Sequence, residues 1–388
     1  MQGFSHRSTL GTETNALTQA LDRRRAEGRP VLSLAESNPT SVGLAWPHAE
    51  LAHALTHPGI AEYQPDPFGL LAVRGALSAH LASSGLEVPA ERLMLTASTS
   101  EAYGFLFKLL CDAGDNVLVP SPSYPLFDVL ASLEGVQLRP YQLAYDGEWH
   151  VDLASVRAAL DARSRAILLV HPNNPTGSFL KRDELQELAS LQLPLISDEV
   201  FAEYAFTADP RRAHSALEVS ERALVFRLGG LSKSVALPQL KLAWTAIAGP
   251  GAAEACERLQ HIADSYLSVA TPVQLALPSL LRHGSAARER VAARTRRNLA
   301  QLTKACEHST LDVLGVEGGW YGIVRVPALH TDEEWAISLL EREGVLVQPG
   351  FFYDLTRGTH LVLSLITEDA HFSEGVARLT QHVAREVG

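Results

Sequence analysis

The sequence is poor in sulfur, poor in positive charge and without any long apolar run. Its 388 residues hold three cysteines and two methionines. Cys111, Cys256 and Cys306 are an odd number at wide spacing, which fits neither a disulfide framework nor a zinc site. They read as buried or inert thiols, and no metal site is expected. Lys and Arg total 33 against 44 Asp and Glu, a formal net charge of −11, so a basic nucleic-acid face is not expected. The arginine clusters at 23–25 and 294–297 read as solvated helix faces. No apolar stretch approaches the roughly 18 residues of a membrane helix, and the start, MQGFSHRSTLGTETN, lacks the apolar core of a secretory signal. The expectation is a cytoplasmic protein that acts on a small molecule and has no membrane partner.

What is abundant is apolar content, 46% of the chain, which is too much for disorder. At about 150 residues per domain, the length suggests two or three units. From about Leu93, short apolar runs alternate with amphipathic stretches, the pattern of a mostly parallel sheet flanked by helices. Residues 116–119, 165–170, 194–196, 223–228 and 242–248 read as strands. Asp152 caps a helix with Val156 and Leu160 at helical spacing, and 181–190 repeats this with Leu185 and Leu188. Residues 10–27 read as a helix, a further helix runs from about Pro272 into the arginine-rich stretch, and 321–326 and 361–365 read as later strands. The expected architecture is α/β. A large domain over 45–279 holds a mostly parallel central sheet, and a smaller α+β domain is built from both chain ends, 1–44 and 280–388.

Five short segments fall at strand or loop ends on one side of such a sheet, where open α/β folds bind ligands. In Thr96-Ala97-Ser98-Thr99-Ser100-Glu101, Ser98 and Glu101 make a capping box, and the same hydroxyl-rich helix start also suits a phosphate. Ser121-Pro122-Ser123-Tyr124-Pro125 is a rigid turn that presents an aromatic ring at the sheet edge or only packs it. His171-Pro172-Asn173-Asn174-Pro175-Thr176-Gly177 follows an apolar strand and reads as a plain turn or as a placed amide. Ser197-Asp198-Glu199 sets a carboxylate directly after a buried strand. Leu231-Ser232-Lys233-Ser234 sets a lysine among small residues, where a surface lysine is the simplest reading.

Taken in order, these segments resemble the fold type I pyridoxal-phosphate enzymes, specifically the class I and II aminotransferases, from about Leu32 to Ser364. The resemblance implies pyridoxal 5′-phosphate as cofactor, with Lys233 condensing with its aldehyde and later moving the substrate proton. It implies that Asp198 keeps the pyridine nitrogen protonated, so that the ring takes up electrons. Tyr124 would stack on the ring and Asn174 would donate to its phenolic oxygen. Ser98, Thr99, Ser100 and Ser232, with Lys241, would hold the phosphate. Ser37 and Asn38 would meet the substrate. Tyr63, and with it Thr271, would touch the partner's phosphate in a homodimer with shared active sites. The implied activity moves an amino group from an amino acid or amine to a keto acid. A lyase or decarboxylase on the same fold, and a cofactor-binding regulator without turnover, are the alternatives.

Several positions depart from the family pattern. Phe201 stands where the family has a tyrosine hydroxyl, so the lysine–cofactor bond is expected to hold its proton more tightly. Gly230 replaces a phosphate-binding serine, and Lys241 replaces an arginine, keeping the charge but losing the bidentate fork. Ser37 stands where many relatives have glycine. Val362 takes the place of an arginine that clamps the substrate carboxylate. Strand alternation puts His360 on the same face, so His360, or Arg357 from the preceding loop, is the candidate replacement. Otherwise the substrate lacks an ordinary α-carboxylate or is held by a residue that the sequence does not single out.

Overall fold

The apolar runs become strands because a sheet covered on both faces has no use for polar alternation. The computed structural model describes residues 3, 5–8 and 15–388. Eight strands form one sheet in the order Leu93–Thr96, Ala243–Ala248, Val225–Gly230, Leu195–Asp198, Ser164–Val170, Asn116–Ser121, Gln137–Tyr145 and Trp149–Val151. The five strands from Val225–Gly230 to Gln137–Tyr145 are parallel, and Ala243–Ala248 and Trp149–Val151 run against them. Alternate residues of Ser164–Val170 feed two cores. Ala166 and Leu168 pack with Phe107, Phe226 and Leu259 on one side, and Ile167 and Leu169 with Leu185, Leu188 and Val225 on the other. The covering helices start where the sequence places them: Asp152 accepts the N–H groups of Ala154 and Ser155 to begin Leu153–Ala159.

A second, four-stranded antiparallel sheet holds Asp312–Val313, Tyr321–Val326, Thr359–Ser364 and Gln348–Pro349. One of its faces, with Val324, Val326, Leu361 and Leu363, is covered by Trp335 and Leu339 of Asp332–Glu343 and by Phe372 and Leu379 of Asp369–Val387. The other face, with Tyr321, Ile323 and Val362, meets Phe201, Tyr204 and Trp149 of the large-sheet unit. Leu32–Ser33 pairs in parallel with Val345–Leu346, tying the beginning of the chain to its end.

Two expectations are corrected. The helix expected from about Pro272 onward is two, Thr271–His283 and Ser285–Cys306, meeting at Gly284. A side chain at Gly284 would collide with Val235, so the junction is pressed against the segment that follows Lys233. Nor are the arginines all solvated: Arg24 is buried and donates to the carbonyls of Pro30 and Glu341, and Arg294 pairs with Asp369 at 2.8 Å. These two guanidiniums fasten the smaller unit together. Of the helix expected over 10–27, Ala16–Ala26 forms behind an Asn15 cap, and residues 10–14 lie outside the described residues. Among the described residues no helix is long and apolar enough to cross a membrane. The three cysteines are free, with burial pushing the Cys111 thiol up to about 12 and the Cys306 thiol up to about 11.

Candidate active site

A cavity of about 260 Å³ lies beyond the carboxyl ends of the parallel strands, and strand register explains which residues reach it. Thr96 is paired with Ala243, and Ala243 with Gly230. Ser98, Lys241 and Ser232 stand two residues outside those positions, so they emerge side by side beyond one edge of the sheet. Asp198 ends the next strand, between Leu228 and Val170. Asn174 follows the strand ending at Val170, and Tyr124 follows the strand ending at Ser121. With neighbouring strands about 4.8 Å apart, these side chains form a row: hydroxyls and a cation, then the Lys233 amine and a carboxylate, then an amide, then an aromatic ring. Ser37, Ser98, Thr99, Ser100, Tyr124, Asn174, Asp198, Ser232, Lys233 and Lys241 all line the cavity.

At the hydroxyl end, the Ser98 hydroxyl oxygen accepts the Glu101 N–H at 3.1 Å and starts the helix Thr99–Leu110. The expected reciprocal half of the capping box is shifted. Glu101 reaches one residue further back to the Ala97 N–H at 2.7 Å, and its carboxylate also accepts the Ser268 hydroxyl. The first-turn N–H groups of Thr99 and Ser100 have no partner within the helix, and the positive end of its dipole faces the cavity. At position 230 an added Cβ would stand 3.1 Å from the Ala243 side chain, so this glycine lets two strands approach closely.

In the middle of the row, the Lys233 amine makes no hydrogen bond and stands 4.6 Å from the Trp320 ring and 5.5 Å from the Phe201 ring. Burial lowers its pKa to about 8, against the opposing pull of the Asp198 charge. The Tyr204 phenol donates to the Lys233 carbonyl at 2.6 Å and fixes the backbone beneath the amine. Asp198 accepts the Tyr103 phenol at 2.9 Å on one oxygen and the Val200 N–H at 3.1 Å on the other. Burial pushes its carboxyl above the usual range, while these two bonds pull it back. Strand alternation sends Glu199 the other way, into a buried pair with Arg227 at 2.8 Å that also takes the Ser197 and Ser215 hydroxyls. The next loop is anchored by His171, which accepts the Leu180 N–H on Nδ1 and so donates from Nε2 to the Ala213 carbonyl. Gly177 closes this loop at φ 68°, where a Cβ would collide with the Gly318 carbonyl and Val316. The turn therefore presents Asn174, whose buried amide oxygen has no partner.

Five of the expected residues stand elsewhere. Arg357 and His360 line a separate cavity of about 180 Å³. His360 shares a strand face with Val362, as alternation requires, but lies one pair further along, and Leu355 and Trp149, packed in one apolar cluster with Val362, line this second cavity too. Asn38 faces solvent and ties its own turn, accepting the Thr40 N–H and donating to the Ser41 hydroxyl. Tyr63 is 78% exposed and, with Thr271, borders a small hollow away from its own chain's cavity. Conversely, Tyr103, Tyr204, Trp320 and Tyr321 were not legible as site residues. Tyr103 is one polar atom in an otherwise apolar helix face, and Trp320 and Tyr321 follow the pair Gly318-Gly319 without a local motif of their own.

A sheet of this order, with a lysine, a carboxylate and a helix start converging at its strand ends, defines a fold type I pyridoxal-phosphate enzyme. An alanine aminotransferase structure from Pyrococcus furiosus superposes with a TM-score of 0.88 at 22% identity, covering 99% of this chain and 100% of that one. The chain belongs to the aminotransferase class I and II family, whose model matches residues 29–369. It is 27% identical to the glutamate-pyruvate aminotransferase AlaA of Escherichia coli K12, over 84% of both chains. It is 24% identical to nicotianamine aminotransferase 1 of Oryza sativa subsp. japonica, over 92% of this chain and 76% of that protein. The protein is a pyridoxal 5′-phosphate-dependent aminotransferase of the class that uses amino and keto acids. The cavity fits that cofactor on its own chemistry: a helix start and Lys241 for a phosphate, an amine free of hydrogen bonds for an aldehyde, a carboxylate for a ring nitrogen, and an unpartnered buried amide between carboxylate and aromatic ring.

Proposed function

We propose that Lys233 is the residue that carries the cofactor and moves the substrate proton, with Asp198 facing the ring nitrogen. The observation that carries this reading is an amine without a hydrogen bond in the same cavity as a buried carboxylate held by two donors. When bound, the cofactor supplies an aldehyde for the donor nitrogen and a ring that accepts electrons from the donor carbon. The chain does the rest. Tyr103 and Val200 favour the ionised form of Asp198 against the effect of burial, and the lowered basicity of Lys233 leaves a fraction of free amine at neutral pH. Ser98, Thr99, Ser100, Ser232 and Lys241 hold the phosphate, Tyr124 covers the ring and Asn174 meets its phenolic oxygen. The large unit is assigned to 45–279, and the smaller one to 1–44 with 280–388.

The assembly is proposed to be a homodimer in which Tyr63 and Thr271 complete the partner's site. Its support is the exposure of Tyr63, Leu71 and Tyr266 on one chain, an unusual set to leave in water. Cytoplasmic residence is proposed from the three unpaired thiols. The test is a single-turnover reaction of holoenzyme with amino donors. Conversion of the cofactor to its aminated form, with release of the matching carbonyl product, is the expected result. Ammonia or carbon dioxide released with the cofactor unchanged overturns it. Borohydride reduction should fix the cofactor to Lys233 and leave Lys233→Ala unlabelled.

A further inference from the structure

The cavity's positive charges stand on the large-sheet side. Among the described residues lining it, only Lys233 and Lys241 are cationic. Lys233 is the reacting amine, and Lys241 emerges beside Ser98 at the helix start. The smaller unit closes the opposite wall with two uncharged hydroxyls, Ser37 and Tyr321.

Behind that wall the small sheet stays apolar. Its inward face runs in register from Tyr321–Ser364 through Ile323–Val362 to Arg325–His360. Val362 is completely buried and packs in one cluster with Phe201, Trp320 and Tyr353. Its polar neighbour in register is Gln348, already bonded to the Tyr353 phenol. Arg325, the first cation on this face, is four residues beyond Tyr321, about 13 Å along the strand. It is paired with Asp312 and lines the other cavity. The charge that acts on Tyr321 from the smaller unit is negative, that of Glu36. The residues proposed above to complete the partner's site, Tyr63 and Thr271, are uncharged, and residues 56–70 and 265–275 around them contain no Lys or Arg and do contain Glu62 and Asp66.

A carboxylate placed between Ser37 and Tyr321 would lose its water with no cation to meet it, an unfavourable exchange. A neutral substituent loses little there and gains contact with Tyr124 and Phe201. We propose that the amino group taken from the donor sits on a carbon that bears no carboxylate, in a simple primary amine or at the distal end of an amino acid. This rests on the transaminase reading above. In the donor half-reaction the C–N bond breaks, a proton leaves the same carbon by way of Lys233, and the oxygen of water becomes the carbonyl oxygen of an aldehyde or ketone. The nitrogen and the electron pair pass through the cofactor to a carbonyl acceptor.

The test uses holoenzyme in single turnover with matched pairs, 2-phenylethylamine against L-phenylalanine and 3-methylbutylamine against L-leucine. The amine of each pair should convert the cofactor with at least a tenfold higher ratio of maximal rate to half-saturating concentration. An amino acid that equals its amine overturns the inference and leaves the transaminase reading standing. Conversion with neither overturns both. Binding gives a second readout: 3-phenylpropionate should not raise the Tm of wild-type holoenzyme and should raise that of Val362→Arg, provided the variant keeps the wild-type far-UV circular dichroism. Stabilisation of the wild type by 3-phenylpropionate also overturns the proposal.

Discussion

Tyr103→Phe removes one oxygen from the site and tests whether the charge on Asp198 is held by this chain's own donors. The ring keeps its packing against Phe107 and Phe127, with centroids 6.2 and 5.3 Å away. What is lost is the phenol bond to Asp198 at 2.9 Å, leaving the Val200 N–H at 3.1 Å as the other protein donor to that carboxylate. A hydrogen bond to a charged group contributes about 1.5–3 kcal/mol, equivalent to roughly one to two pH units. Burial already holds the Asp198 carboxyl above its ordinary range, and the phenol bond favours the ionised form, so its loss moves the pKa further up. Activity that needs the carboxylate is present above this pKa and lost as pH falls through it. The acid limb of the donor half-reaction, followed by rapid mixing across the neutral range, should therefore move to higher pH by about one to two units. The folded state should lose no more than about 1–3 kcal/mol in urea titration. An acid limb that does not move, in a variant that folds and binds cofactor, refutes the reasoning.

Three further outcomes are expected. In the apoprotein, Lys233 deprotonates at about 8, against about 10.4 unfolded. The folded state thus sheds its proton first, and wild type should gain stability relative to Lys233→Met as pH rises between those values, measured by denaturant titration at several pH values. Lys241→Gln should weaken cofactor binding at least about tenfold and flatten its salt dependence, read by equilibrium dialysis. Gly177→Ala forces a side chain into a left-handed turn against Gly318 and Val316 and should cost about 2–4 kcal/mol, with cofactor binding lost alongside.

The large sheet was legible because strands buried on both faces are written as uninterrupted apolar runs, as Ala166 to Val170 illustrates. The cavity was legible where chemistry follows directly on such a strand, as at Asp198, or opens a capped helix, as at Ser98. It was not legible where the chain meets itself from far away. Tyr103 reaches Asp198 across 95 residues, and Trp320 reaches Lys233 from the other sheet, so neither has a local signature. Nor does alternation alone say which pair along a strand faces which cavity. That is why His360 shares a face with Val362 and still belongs to a different hollow.

Where Thr271–His283 gives way to Ser285–Cys306, Gly284 rests on Val235, two residues beyond Lys233. The second of these helices carries Val291 and Leu302 into the clusters around the small sheet. Among the contacts between the two units, this one bears directly on the segment next to Lys233, so a shift of the smaller unit would be passed to the amine there. Thickening position 284 by one methyl group would act as a wedge under the lysine segment, and its effect would be felt as mispositioning at the amine before it was felt as unfolding.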